Sequence, residues 1–524
     1  MQTEQQWLKQ TREWMLRGKS AVAESLLANG LTEYPQSIDL RRTLAGVYRQ
    51  TQRDAQAQSL LCGLLADNPG DTASAFLLAQ MLKEQGNMSS AAAVMRTCFE
   101  HGQHDAEEAI RAIELLDDCD RKRDAAAIAE AAITTHPGDP RLHAYAGMLE
   151  SQLGEFERAR EHCVLALEQS LQACEWHVPL GLASMQRYPD AEHPDFGRFR
   201  NHLQRKDLSE QARSTLLFAL GKAHDDIGDY AQAAQYFRQA NALAHALTRW
   251  SRKHWRRAVE ARLAAKPIGS RPDQTPDFVP ILIVGMPRSG TTLIAELLAR
   301  YPRVCNRGES PWLATLAQQP ELAGNPKRIS MQRAAATYHA QLRQDDADGA
   351  QWFIDKQPLN FRYVDLMLAL FTNAKIIHCQ RNLRDNALSL WVQSFSEEVQ
   401  GYVYDFADIA IVMNDCERLM THWRKSHANS ICTVHYEKFV ARPEAVIAEL
   451  AEWLELPRLD ASAATDISPR GIGTASLWQA RQPVYGRSVE RWRHYVAYLP
   501  ELVKFPMDRP SHSSDQRPSG GNSI

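Results

Sequence analysis

Residues 280–292 read Pro-Ile-Leu-Ile-Val-Gly-Met-Pro-Arg-Ser-Gly-Thr-Thr. An apolar run with β character empties into a glycine-bounded loop, and a helix-like stretch follows, Leu293–Arg300. A junction of this kind gathers backbone N–H groups at one point, where the helix dipole also favours an anion. Gly285 and Gly290 have the spacing of a P-loop, but Thr291-Thr292 stand where that loop carries Lys-Ser/Thr. An NTPase uses that lysine on the β and γ phosphates and the hydroxyl on magnesium. The cation here is Arg288, inside the loop. The chemistry implied is a nucleotide held by a 5′ phosphate group, not an NTP gripped through its γ phosphate.

Other candidate groups also follow apolar runs. Phe353-Ile-Asp ends in Lys356, Lys375–Gln380 ends in Arg381 and a helix through Trp391, and Ile431–Tyr436 is a further strand. Strands alternating with helices predict a parallel α/β sheet. Ligands of such sheets collect at the carboxyl ends of the strands, where Arg288, Lys356 and Arg381 fall. Arg381 with Ser389, two helical turns on, could form a second anion site, because a guanidinium suits bidentate phosphate recognition. Taken singly, Arg381 could equally be a surface ion-pair partner, and Ser389 a helix-face hydroxyl.

On these residues the C-terminal half resembles the sulfotransferases that use 3′-phosphoadenosine 5′-phosphosulfate (PAPS). Pro287-Arg288-Ser289-Gly290-Thr291-Thr292 resembles their 5′-phosphosulfate loop, and Arg381 with Ser389 their 3′-phosphate site. The domain is similar to the tyrosylprotein-sulfotransferase-like branch, including bacterial proteins with tetratricopeptide repeats ahead of the enzyme. The resemblance covers about residues 4–500. It implies Glu309 as the catalytic base and Lys356 as the cation near the transferred group; their alternatives are a helix cap before Pro311 and a solvated loop lysine. It implies Ser476 near the reaction centre, and Arg487 and Ser488 at the 3′ phosphate or adenine. The alternative there is an ordinary loop leading to a helix, with Trp492 in the core. His435-Tyr436-Glu437 resembles a family strand end and is read as structural. Two departures stand out. Asn382-Leu383 replaces the Asp-Pro common after the 3′-site arginine, and the anchor of the animal enzymes is missing. The family needs no metal, and no His/Cys/carboxylate group here has ligand spacing.

The elements that must carry this site come after a repeat array. Pro35, Pro69 and Pro137 are separated by 34 and 68 residues, and Ala23, Ala57, Ala91, Ala125 and Ala159 follow the same period of 34. The pattern resembles the tetratricopeptide repeat, a helix–turn–helix that buries its apolar face only by stacking. About seven repeats are expected over 4–247. Between Gly181 and Gly221 the spacing is 40, a six-residue excess, and Tyr188–Pro194 is expected to loop out. The expected fold is multidomain: an α-helical tetratricopeptide-type solenoid over 4–247, a basic Pro/Gly linker over 248–277, an α/β domain with a P-loop-like phosphate site over 278–505, and a disordered polar tail over 506–524. The array either grooves a peptide or protein acceptor or braces the enzyme.

Bulk properties narrow the classes further. The 524 residues are 44% apolar and 23% charged with a net charge of −3, so nothing argues for a nucleic-acid partner. No run of about 18 apolar residues exists, and the N-terminus lacks signal-peptide character, so no membrane association is expected. Nine scattered cysteines without CxxC pairs suit reduced thiols in the cytoplasm. The expected function is sulfuryl transfer from PAPS to a hydroxyl, with tyrosine in a peptide or protein as one acceptor. Rival readings are a small-molecule or saccharide sulfotransferase with the repeats as scaffold, a P-loop kinase or NTPase, and a non-catalytic repeat scaffold. Oligomeric state is left open.

Overall fold

The computed structural model describes residues 2–505 apart from 267, 269–276, 325, 345, 347–348, 396–399 and 458–487. The tail expected to be disordered, 506–524, lies outside the described residues. The chain divides into two compact units, Met1–Leu149 and Glu150–Ile524.

The first unit is built of helix pairs: Glu4–Leu16 with Ser20–Glu33, Ile38–Gln50 with Asp54–Asp67, Thr72–Glu84 with Met88–Glu100, and Ala106–Asp118 with Lys122–Thr135. The 34-residue period has a steric cause. Ala23, Ala57, Ala91 and Ala125 are wholly buried, and a small side chain at that seam lets paired helices approach closely. The prolines end the second helix of a pair. Pro35, Pro69 and Pro137 follow Tyr34, Asn68 and His136, whose N–H groups still reach back to Gly30, Leu64 and Ala132 at 2.7, 2.8 and 2.8 Å. Proline has no N–H to extend the ladder, and it drives the preceding residue out of the helical region.

The boundary between the units falls within the helix Pro140–Leu153, and the second unit continues with Phe156–Gln169. Val178–Ser184 and Pro194–Leu203 each pack on Glu210–Asp226, which pairs in turn with Tyr230–Leu247. Residues 187–193 lack helix, but the insertion does not simply loop out. Tyr188 is buried; its hydroxyl donates to Asp195 at 2.9 Å and its N–H to Asp226 at 3.1 Å. A tyrosine whose hydroxyl is satisfied serves as core, which an insertion length alone does not reveal.

Within the stretch read as a linker, Arg252–Leu263 is a helix. Trp255 and Val259 are buried, and the Trp255 indole N–H donates to Asp415 at 3.0 Å. Its cations meet carboxylates: Arg252 pairs with Asp408 and with Asp405 at 3.2 Å, and Arg262 lies 3.8 Å from Asp365.

Five parallel strands form one sheet: β1 (Val279–Gly285), β2 (Val304–Asn306), β3 (Trp352–Asp355), β4 (Lys375–Gln380) and β5 (Ile431–His435), in the order β2-β3-β1-β4-β5. β2 was not visible in the sequence, because three residues carry no alternation and only one of them is aliphatic. Ile281–Val284 are wholly buried, as a strand covered on both faces requires. Ile281, Ile283, Ile354 and Ile377 pack on one face, and Leu282, Val284, Phe353 and Ile376 on the other. The second face shares a continuous core with Phe218 and Phe237 of the last helix pair and with Trp255, Trp391 and Phe406. No helix among the described residues is long and apolar enough to cross a membrane.

Two helical glycines separate packing from propensity. A Cβ on Gly221 would lie 2.7 Å from the Phe237 ring, whereas one on Gly46 would meet nothing within 4 Å. Gly221→Ala is expected to cost about 1–3 kcal/mol through overpacking. Gly46→Ala is expected to gain about 0.5–1 kcal/mol through helix propensity. Calorimetric transition temperatures of the two variants should move in opposite directions.

Candidate active site

The sheet order sets β1 beside β4, and the chain leaves β1 towards β2 on one side and β4 towards β5 on the other. The crevice beyond such a switch point is where open α/β sheets hold ligands. The Pro287–Thr292 loop emerges there. Gly285 has φ +145° and its Cβ would strike the Cys379 carbonyl at 2.3 Å; Gly290 has φ +92° and its Cβ would strike the Tyr436 ring at 2.7 Å. Only glycine fits at either end of the loop. Gly290 is the N-cap of the helix Thr291–Leu298, and Thr291 and Thr292, both buried, form its first turn. Ser289 is buried, with its hydroxyl donating to the Met286 carbonyl at 2.7 Å.

Arg288 has φ +69°, a left-handed conformation that costs an L-residue about 1–2 kcal/mol. Its neighbours hold it there. The Arg288 Nε donates to Ser389 Oγ at 3.2 Å, and the Arg288 carbonyl accepts from Arg381 at 2.8 Å. One residue earlier, the Pro287 carbonyl accepts from the Asn386 side chain at 2.8 Å. The helix Leu383–Trp391 thus grips the loop through Ser389 and Asn386, aided by Arg381 at the end of β4.

Arg381 donates a second bond to the Ser488 carbonyl at 2.8 Å and lies over the Tyr436 ring at 4.7 Å. Its Nε is buried and has no hydrogen-bond partner among the described residues. Burial draws this guanidinium down from its ordinary range, against the pull of Tyr436, Asp385 and Glu437. Tyr436 also meets Ser488, hydroxyl to hydroxyl, at 2.7 Å. Glu437 accepts from the Asn382 N–H at 2.8 Å. Asn382 caps the helix by accepting from the Asp385 N–H at 3.1 Å, so the turn holds without the Asp-Pro of the resemblance.

A second cluster stands after β2 and β3. Lys356 is almost wholly buried, and its ammonium is ion-paired with Glu309. The Glu309 side chain is 35% exposed, which leaves a carboxylate face open to solvent. The Lys356 N–H donates to the Gly308 carbonyl at 2.9 Å, which ties the two loops together. Directly before Lys356, Asp355 is buried and accepts from the Tyr338 hydroxyl at 2.6 Å. Burial pushes the Asp355 carboxyl up to about 7, although Tyr338 and Lys356 both pull it down.

The structure therefore brings Pro287, Arg288, Ser289, Gly290, Thr291, Thr292, Arg381, Ser389 and Ser488 into one connected cluster, and pairs Glu309 with Lys356. Ser476 and Arg487 lie outside the described residues. Sequence reasoning missed Asn386 and set Tyr436 aside as structural. Tyr436 directly follows β5, and that position was the available signal; Asn386, inside the helix Leu383–Trp391, carried none.

A glycine-bounded loop at a sheet switch point, with two arginines beside it, marks an α/β domain preceded by helical repeats. Comparison with known proteins names both parts. Residues 280–460 match the sulfotransferase family, and residues 15–80 and 214–244 match tetratricopeptide repeats. The chain carries tetratricopeptide repeats ahead of a sulfotransferase-family domain. It is 28% identical over 402 residues to an uncharacterized protein of Aquifex aeolicus (strain VF5), covering 72% of this chain and 52% of that one. It is 26% identical to protein-tyrosine sulfotransferase A of Caenorhabditis elegans, covering 44% of this chain and 64% of that one. The chain thus spans about half to two thirds of the length of these relatives. The sulfotransferase domain of the Synechococcus PCC 7002 olefin synthase aligns over 46% of this chain and 99% of its own, with 18% identity and a TM-score of 0.32.

The buried Asp355 gives a pH test. A carboxyl whose folded pKa lies above its unfolded value opposes folding once ionised. That cost is absent below about pH 4, grows as pH rises towards about 7, and is complete above it. Asp355→Asn should raise the thermal midpoint at pH 8, with a smaller gain at pH 5. An equal gain at both pH values would show that the carboxyl titrates in its ordinary range.

Proposed function

We propose that the protein is a PAPS-dependent sulfotransferase acting on a hydroxyl, with tyrosine in a peptide or protein as the acceptor. The observation that carries the reading is Arg381, a largely buried cation whose Nε finds no hydrogen-bond partner among the described residues, set against the glycine-bounded Arg288 loop. Such a group favours a neighbouring anion. Two anion-binding centres, one on the loop and one at Arg381 with Ser389 and Ser488, match a nucleotide with separate 5′ and 3′ phosphate groups. The missing P-loop lysine argues against an NTP. A Cβ at Gly285 would strike the Cys379 carbonyl and one at Gly290 the Tyr436 ring, so glycine at both ends is what keeps the loop's course.

In this reading residues 287–292 hold the 5′ end, and Arg381, Ser389, Arg487 and Ser488 hold the 3′ phosphate. The donor supplies an activated sulfuryl group on its 5′ phosphate. Glu309 takes the acceptor's hydroxyl proton as the new O–S bond forms. Lys356 neutralises charge on the bridging oxygen released as the old S–O bond breaks, leaving adenosine 3′,5′-bisphosphate. Ser476 assists at the reaction centre. No metal takes part. The repeats hold the acceptor peptide. Nine scattered cysteines without CxxC spacing favour a reducing compartment such as the cytoplasm.

Calorimetric titration should give tighter binding of adenosine 3′,5′-bisphosphate than of ATP; equal or tighter ATP binding would overturn the donor assignment. Arg288→Ala and Arg381→Ala should each weaken the bisphosphate by about ten- to a hundredfold. Glu309→Ala should lower turnover by about 10²–10⁴ with binding kept, and unchanged turnover removes it as the base. In a labelled-sulfate transfer assay with lysate and a peptide library, label is expected on peptides. Label confined to small metabolites would point to the repeats as a scaffold for small-molecule chemistry.

A further inference from the structure

We infer that Asp225, on the last repeat pair, is a positioning residue of the nucleotide site. Through Arg491 and Tyr495 it sets where the 488–492 backbone meets Arg381. The inference rests on the nucleotide-site reading above.

Asp225 stands in the last turn of the helix Glu210–Asp226. One carboxylate oxygen accepts from the Arg491 guanidinium at 2.6 Å and the other from the Tyr495 hydroxyl. The pair is mostly shielded, with side chains 15% and 26% exposed. Burial works against the Asp225 charge, but Arg491 and Tyr495 outweigh it and hold the carboxyl below its ordinary range. Tyr230, on the other helix of the pair, stacks on His494 at 4.8 Å and meets the Tyr495 ring edge-on at 5.2 Å.

The opposite edge of the same segment is held from the nucleotide side. Asp385 accepts from the Glu490 N–H at 2.6 Å and the Trp492 N–H at 3.0 Å, and Arg384 lies over the Trp492 ring at 4.5 Å. Between these two carboxylates Glu490 takes a left-handed φ of +59°. Ser488 then presents its carbonyl to Arg381 and its hydroxyl to Tyr436. A strained, short segment keeps such a course only when its surroundings over-determine it. Fastening by apolar packing alone would stabilise the fold about as well. A directional ion pair adds register, which here means the placement of Ser488 and hence of Arg381. The repeat array therefore contributes a residue to the geometry of the donor site without touching the donor.

The test uses the full chain. Adenosine 3′,5′-bisphosphate is titrated by calorimetry into the wild type, Asp225→Asn and Tyr495→Phe, alongside donor KM and kcat in the transfer assay. Asp225→Asn should weaken binding and raise donor KM about tenfold, and Tyr495→Phe about two- to threefold, with kcat within about twofold. Asp225→Glu should recover part of the loss. In hydrogen exchange the Glu490 and Trp492 amides should lose protection in Asp225→Asn. Unchanged binding in both variants overturns the inference, as does a fall in kcat with KM unmoved. If Asp225→Asn does not fold, Tyr495→Phe, which removes one hydroxyl, decides alone. A wild type that ignores the bisphosphate overturns the nucleotide reading and this inference with it; a wild type that binds while both variants bind equally overturns only the inference.

Discussion

Arg381 joins chain segments that lie far apart in the sequence. It reaches the loop after β1 through the Arg288 carbonyl, the C-terminal segment through the Ser488 carbonyl, and the residue after β5 through the Tyr436 ring. Each contact orients something that local preference would orient otherwise. The left-handed Arg288 is held by a bond to its carbonyl, and the close approach of Tyr436 is allowed because Gly290 has no side chain. A guanidinium can do this because its donors form a rigid fork; a lysine ammonium at the same place would satisfy one direction at a time. Among the described residues the Arg381 Nε has no hydrogen-bond partner, and a buried N–H left so is costly to the folded state.

The same logic explains the second cluster. Lys356 is buried where no solvent can screen it, and Glu309 is its ion-pair partner. Asp355, one residue earlier, turns to Tyr338 instead. At the end of β3 two neighbouring charged residues thus take different partners: Lys356 takes Glu309, and Asp355 the Tyr338 hydroxyl.

Much of this was legible in the sequence, and the division follows range. The period of 34 is repeated along the chain, so Ala23 and its equivalents announce the helix seam many times over. The loop after β1 is written in consecutive residues, and the strand-end positions of Lys356 and Arg381 follow from short apolar runs. What was illegible depends on partners far away in the chain. Tyr188 is core only because Asp195 and Asp226 receive its hydroxyl and N–H. The helix Arg252–Leu263 looks like a charged spacer until Asp415, Asp408 and Asp405 are seen beside it. Tyr436 becomes a site residue only when Gly290 lies against its ring. None of these pairings leaves a periodic or local mark.

The continuous core that runs from Phe218 and Phe237 to β1 divides the array by evolutionary freedom. Tetratricopeptide arrays lengthen and shorten by duplicating or losing whole units, because each unit contacts only its neighbours. That freedom belongs to the helix pairs of Met1–Leu149. The pair 210–247 is bound by a different history. Asn241 donates to the Trp391 carbonyl at 2.9 Å, closing the very helix that bears Ser389, and Phe237 meets the Trp391 ring. A deletion there would expose the helix that bears Ser389 rather than shorten a stack. Descent should therefore have frozen the last repeat at the pace of the sheet while the first ones drifted, so that two clocks run in one array.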